Sequence, residues 1–145
     1  MNRKVFIDTN VLLDACMGER PGWQWATMLL DEIAYGKLDG CIAATSLKDA
    51  YYILGKYAGE PAAREFVFAA LDAFEVIGVD GSLCRTAATS DEPDFEDGII
   101  RACAERAGVS FIISRDEGAF HKSAIKRLSA QDYAKLFCET DKVKL

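Results

Sequence analysis

Five aspartates fall at points of this sequence where carboxylates can be gathered to do chemistry. Asp8 ends the apolar run Val5-Phe6-Ile7, and Asp49 lies three residues after Ser46, where a helical pattern opens. Asp94 and Asp97 bracket the start of another helical pattern, and Asp116 follows Phe111-Ile112-Ile113-Ser114-Arg115. Each has a structural account when taken singly. Asp8 and Asp94 suit helix N-caps, whose side-chain oxygens accept backbone N–H bonds. Asp97 suits a first-turn acid that complements the helix dipole. Ser46 and Asp49 have the spacing of a capping box, and Asp116 could be a loop residue beside Arg115. Collected on one rim, they would do something else. Two carboxylates about 4 Å apart repel by roughly 4 kcal/mol at an effective dielectric near 20, so three or four stay ionised together only around a cation. With oxygen donors alone and no His or Cys set at ligand spacing, that cation would be Mg²⁺ or Mn²⁺ rather than Zn²⁺. One of its waters is then a candidate nucleophile for phosphodiester hydrolysis.

Such convergence requires a scaffold that brings distant segments to one edge. Lys4 to Ile7 reads as a strand, with a helix after Asp8-Thr9-Asn10 that breaks at Gly18 to Gly22. Trp23 to Tyr35 is helical by its apolar spacing, Cys41 to Ala44 is a second short strand, and helices follow from Ser46 to about Tyr57 and from Glu60 to Phe74. Glu75 to Val79 is a third strand and Asp80 to about Thr89 a helix, before the loop Ser90-Asp91-Glu92-Pro93. Asp94 starts a helix that Gly108 ends, Val109 to Ile113 is the fourth strand, Ile125 to Leu128 a short fifth, and Ala130 to Cys138 the last helix. Strands alternating with helices predict an α/β/α sandwich around a central, mostly parallel sheet of four to five strands. Ligands of such sheets gather beyond the carboxyl ends of the strands, where Asp8 and Asp116 stand.

The chain has 145 residues, 50% of them apolar and 28% charged, which predicts one globular domain over residues 1–145 with a frayed tail at 139–145. The first apolar stretch is cut by Asp8, and no window approaches the roughly 20 apolar residues of a membrane span, so a soluble protein without a membrane role is expected. The five cysteines are scattered, with no C-x-x-C pair, as in reduced thiols of a cytoplasmic protein. A net charge of −6 argues against nucleic-acid binding by bulk electrostatics. Any such role must be local, through a carboxylate-held cation or the basic run Arg115, His121, Lys122, Lys126 and Arg127. His121, the single histidine, sits between Phe120 and Lys122 and reads as a surface residue. Trp23, Trp25, Tyr51 and Tyr52 read as core residues on helices, with a partner-facing patch as the alternative.

The segment Phe6-Ile7-Asp8-Thr9-Asn10-Val11-Leu12-Leu13-Asp14 resembles the opening motif of PIN domains, the group that includes the toxic ribonucleases of VapBC toxin–antitoxin pairs. Thr45-Ser46-Leu47-Lys48-Asp49, Asp94-Phe95-Glu96-Asp97-Gly98-Ile99-Ile100 and Ile113-Ser114-Arg115-Asp116 agree with it in order and spacing, so the likeness runs from about Lys4 to Phe137. The resemblance implies that Asp8, Asp97 and Asp116 bind the metal, that Asp94 is an auxiliary acid, and that Asp49 fills a position where the family usually has glutamate. It also implies cleavage of RNA by a metal-bound water, a homodimer, and a cognate antitoxin protein as partner. Asn10 and Ser114 would orient the acids by hydrogen bonding, and Arg115, Lys122 and Lys126 are candidates for RNA phosphates. Asp49 is one carbon–carbon bond, roughly 1.5 Å, shorter than the usual glutamate, which leaves a water-mediated contact or a capping role open.

Two competing readings remain at this stage. A phosphatase or phosphotransfer domain also places an Asp after the first strand, but the haloacid-dehalogenase kind needs a second Asp where Asn10 stands. The other is a PIN-like fold without activity that serves as an interaction module, on the strength of the departure at Asp49.

Overall fold

The computed structural model describes residues 3–138. The expected frayed tail at 139–145 lies outside the described residues. The elements follow in the order β1 (Lys4–Ile7), α1 (Thr9–Cys16), α2 (Trp23–Ala34), β2 (Asp39–Ala43), α3 (Ala44–Ala58), α4 (Glu60–Ala73), β3 (Glu75–Ile77), α5 (Gly81–Ala88), α6 (Phe95–Ala107), β4 (Phe111–Ile113), β5 (Lys126–Leu128) and α7 (Ala130–Phe137). The five strands form one sheet in the order β3-β2-β1-β4-β5, and each neighbouring pair is parallel. This is the expected α/β/α sandwich.

Strand alternation divides the core into two layers, because successive side chains point to opposite faces. Val5 and Ile7 of β1, Ile42 of β2 and Ile113 of β4 pack with Leu12, Leu29, Ala50, Ala63 and Tyr133 from α1, α2, α3, α4 and α7. Phe6, Cys41, Ala43 and Ile112 face the other way, onto Leu83 and Ala87 of α5 and Ile100, Cys103 and Ala104 of α6. Burial of β1 and β4 on both faces explains why their sequences are unbroken apolar runs rather than alternating ones.

Strand order locates the functional rim. From β1 the chain winds outward through β2 to β3, then returns to lay β4 on the opposite side of β1. The order reverses between β1 and β4, and in open parallel sheets the crevice beyond that switch point is where ligands bind. Asp8 and Ser114 are the first residues past these two strands.

The helix expected to open at Ser46 begins two residues earlier, and this removes the capping box. Ala43, extended at φ −79° and ψ 145°, is the N-cap and offers no side-chain hydrogen bond. Ser46 thus lies inside α3, buried, and Asp49 lies in its second turn rather than at its start. Of the helix residues expected to be core, Trp23 and Tyr52 are largely exposed instead, while Trp25 and Tyr51 pack partly against the core.

Candidate active site

β1 delivers Asp8 to the rim, and two strands hold it there. Its N–H donates to the Ile113 carbonyl at 3.0 Å, while its own carbonyl accepts the N–H groups of Val11 and Leu12, each at 3.1 Å, as α1 begins. Its carboxylate accepts the Thr9 N–H at 2.7 Å on Oδ1 and the Ser114 hydroxyl at 2.7 Å on Oδ2. The same Ser114 hydroxyl accepts the Asp116 N–H at 3.0 Å, so one side chain links the first acid of the motif to the backbone of the last. Arg127 braces the arrangement from β5 by donating to the Ser114 carbonyl at 2.7 Å. Thr9 Oγ1 donates to the buried Ser46 Oγ at 2.7 Å and ties α1 to α3, and Asn10 Oδ1 accepts the Arg115 N–H at 3.4 Å. Of the two residues expected to orient the acids, Ser114 bonds the Asp8 carboxylate, whereas Asn10 meets the Arg115 backbone rather than an acid. Ser114→Ala strips a buried carboxylate of a donor, and urea unfolding at neutral pH should show a loss of about 1.5–3 kcal/mol. An unchanged midpoint would show that this hydroxyl carries no such burden.

The other acids come from the start of α6. Asp94 is extended, caps the helix and accepts the Asp97 N–H on Oδ1 at 2.8 Å. Asp94 is thus the expected cap, and Asp97 lies in the first turn at 9% exposure. Burial first, and then the charges of Asp94, Asp116, Asp8 and Glu92, together lift the Asp97 carboxyl to about 7. The Asp8 carboxyl is also raised, first by burial and then by Asp116 and Asp94, while the Ser114 and Thr9 hydrogen bonds pull it back down. Glu96 is raised by partial burial and then by Asp49, Asp8 and Asp94. These mutual effects mean that Asp8, Asp94, Asp97 and Asp116 share one rim, with Glu96 and Asp49 on its flank. Among the described residues, however, no three His, Cys, Asp or Glu side chains are grouped closely enough to hold one ion in the arrangement seen.

Glu96 and Glu92 are the residues that reading the sequence missed. Glu96 sits inside the acidic run Asp94-Phe95-Glu96-Asp97, so its signal was present but was outweighed by the capping positions on either side. Glu92 reads as loop from its Ser and Pro neighbours, and its partners lie far along the chain.

Two of the three basic candidates are already engaged. Arg115 Nε lies 2.7 Å from Asp14 Oδ2, and Asp14, 2% exposed, also holds Arg20 Nε at 2.9 Å. Lys122 Nζ lies 3.0 Å from Asp91, and Lys126 begins β5, at the end of that strand opposite the rim. Asp49 pairs with its neighbour Lys48 at 2.9 Å. His121 is exposed, its Nε2 against the Glu117 carbonyl at 2.6 Å.

The fold has close counterparts among solved structures. A toxin–antitoxin complex from Klebsiella pneumoniae matches with a TM-score of 0.64 at 19% identity, over 87% of this chain and 97% of that one. VapC20 of Mycobacterium tuberculosis, a toxin that cleaves the sarcin–ricin loop, matches with a TM-score of 0.60 at 19% identity, over 78% of this chain and 90% of that one. VapBC2 of Rickettsia felis, solved with a fragment of its promoter DNA, gives 0.61 at 12% identity, over 87% and 98%. No curated protein sequence matches the chain. The sequence profile of the PIN domain matches residues 4–118, which takes in β1 through the Asp116 turn. With that profile spanning most of the sequence and the fold in agreement, the chain belongs to the PIN domain family.

Proposed function

We propose that this protein is a metal-dependent endoribonuclease, the toxin of a VapBC-type pair. The observation that carries this reading is the charge environment of Asp97, in which the strongest charges acting on a carboxyl lifted to about 7 are all carboxylates. A site built this way is incomplete without a cation. The residues fit a hard one, since every donor on the rim is an oxygen. Asp8, Asp97 and Asp116 would hold Mg²⁺ or Mn²⁺, with Asp94 assisting, and closure around the ion needs side-chain rotation. When bound, the ion supplies Lewis-acid charge to the phosphodiester and a water of lowered pKa.

The chain's own residues do the rest. Ser114 and Thr9 fix the Asp8 carboxylate, and Asn10 holds the backbone at Arg115. Asp49, freed from capping, stands with Glu96 on the flank where a carboxylate could orient the attacking water or take its proton. Arg115 and Lys122 would exchange Asp14 and Asp91 for RNA phosphates. The VapC20 and VapBC structures support a toxin with an antitoxin partner. Exposed Tyr52, Tyr57, Phe68 and Leu71 on α3 and α4 supply apolar surface for that antitoxin or for a second copy in a homodimer. No helix among the described residues is long and apolar enough to cross a membrane, which is compatible with action in the cytoplasm.

The test is cleavage of a single-stranded RNA and of a structured one by the purified protein, with Mn²⁺ and with EDTA. Cleavage should require the ion, leave a 5′-phosphate and disappear in Asp8→Asn. Cutting that survives EDTA, or that persists in Asp8→Asn, would defeat the proposal.

A further inference from the structure

Asp116 sits on the long connection between β4 and β5, a segment with little regular structure of its own, yet a metal ligand must be held steadily. Something outside the segment has to hold it. Glu92, from the loop that also carries Asp94, is the residue that reaches across. Its side chain is only 3% exposed. One oxygen accepts the backbone N–H of Phe120 at 2.7 Å, and the other lies 3.1 Å from Arg101 Nη1. Phe120 is buried and left-handed at φ 69°, a conformation that a bulky residue adopts only when its surroundings impose it. Arg101 stands one helical turn beyond Asp97 on α6, and its Nη2 donates to the Lys122 carbonyl at 3.1 Å. Glu105, a further turn along, accepts Arg101 Nε at 3.1 Å and the Ser123 hydroxyl at 2.8 Å. The segment bearing Asp116 is thus gripped through Phe120, Lys122 and Ser123 by residues anchored on α6 and on the Asp94 loop.

We propose that Glu92 and Arg101 are positioning residues: they register the Asp116 segment against the helix that carries Asp94 and Asp97, so that the acids of the rim can close on one ion. This rests on the nuclease reading for what the rim holds, while the grip itself rests on the contacts alone. A buried carboxylate paired with an arginine is expensive to maintain, and replacing such pairs by apolar residues often leaves a fold no less stable. Stability alone does not account for it. Here the pair binds backbone of the segment that carries Asp116.

The experiment is Mn²⁺ titration followed by thermal stability, with amide hydrogen exchange of residues 114–125 measured on the same metal-free samples. Glu92→Ala should weaken Mn²⁺ binding about tenfold, the range typical of groups that orient metal ligands, and speed exchange at Phe120. Glu92→Gln keeps an acceptor for the Phe120 N–H and should recover most of that loss. Asp80→Ala, which removes the cap that Leu83 N–H uses at the start of α5, lowers stability away from the rim and should leave Mn²⁺ binding as in the wild type. Should Glu92→Ala fail to fold, Arg101→Lys, which keeps the charge but loses the fork, takes its place with a several-fold loss expected. Wild-type Mn²⁺ affinity in Glu92→Ala, or an equal loss in Asp80→Ala, overturns the proposal. If the wild type binds no Mn²⁺, the nuclease reading falls, and exchange decides the grip: unchanged protection at Phe120 in Glu92→Ala overturns that too.

Discussion

Asp97→Asn should make the protein more stable and abolish its activity. The carboxyl titrates near 3.8 when exposed and at about 7 in the fold, raised by burial and by neighbouring acids. A folded-state value above the unfolded one means that the native protein binds more protons between those limits. Stability therefore falls as pH rises from about 4 to about 7, and the penalty is fully present above 7. The step from 3.8 to about 7 corresponds to ~4 kcal/mol, and water at the mouth of the crevice reduces it to roughly 2 kcal/mol. Asparagine removes the charge, so in EDTA at pH 8 the variant should melt roughly 6 °C above the wild type. At pH 4, where the aspartic acid is already neutral, the two should coincide. Mn²⁺ should reverse the order at pH 8 by stabilising the wild type alone. RNA cleavage should fall on the order of a thousandfold, equivalent to several kcal/mol of lost transition-state stabilisation. Equal melting temperatures in EDTA from pH 4 to pH 8 would show that Asp97 feels no such field. Retained cleavage would remove it from the site.

How much of this could be read in advance depended on how local the cause was. Asp8 and Asp116 were legible because an apolar parallel strand that ends in an acid marks the carboxyl edge of a sheet, and the switch point between β1 and β4 then brought both to one place. Asp94 and Asp97 were legible as a pair because capping is a matter of a few residues. Ser46 and Asp49 misled for the same reason. Their spacing fits a capping box, but the preceding strand runs straight into α3 and Ala43 takes the cap position, leaving Ser46 Oγ to accept from Thr9, 37 residues away. Arg115 stands beside Asp116 in sequence, yet its side chain reaches Asp14 across the chain. Glu92 shows the limit most clearly. Its neighbours in sequence describe an ordinary loop, and its role comes from partners at positions 101 and 120 that only the fold assembles.

Gly98→Ala should be among the most damaging single-methyl changes in the molecule, although glycine in mid-helix ordinarily costs stability relative to alanine. A Cβ at this position would lie 2.6 Å from the Ala87 carbonyl oxygen, 2.9 Å from Ser90 Oγ and 3.0 Å from Ala87 Cα. The carbonyl cannot turn aside, because it belongs to the end of α5 and accepts both the Ser90 hydroxyl at 2.8 Å and the Ser90 N–H at 3.2 Å. α6 would have to withdraw from α5, at a cost of about 2–3 kcal/mol for overpacking against backbone. Gly55→Ala in α3 is the matched comparison, since its Cβ would meet only the Ala63 methyl at 3.9 Å, and it should gain about 0.5–1 kcal/mol from the same exchange. Urea unfolding of the two variants should thus move in opposite directions. Because Gly98 follows Asp97 directly, the withdrawal of α6 also displaces an acid of the rim, and residual folded Gly98→Ala should bind Mn²⁺ more weakly than the wild type. Unchanged stability in Gly98→Ala would mean that α5 and α6 can slide apart freely, and the register that sets Asp94 and Asp97 against Asp8 would then need another origin.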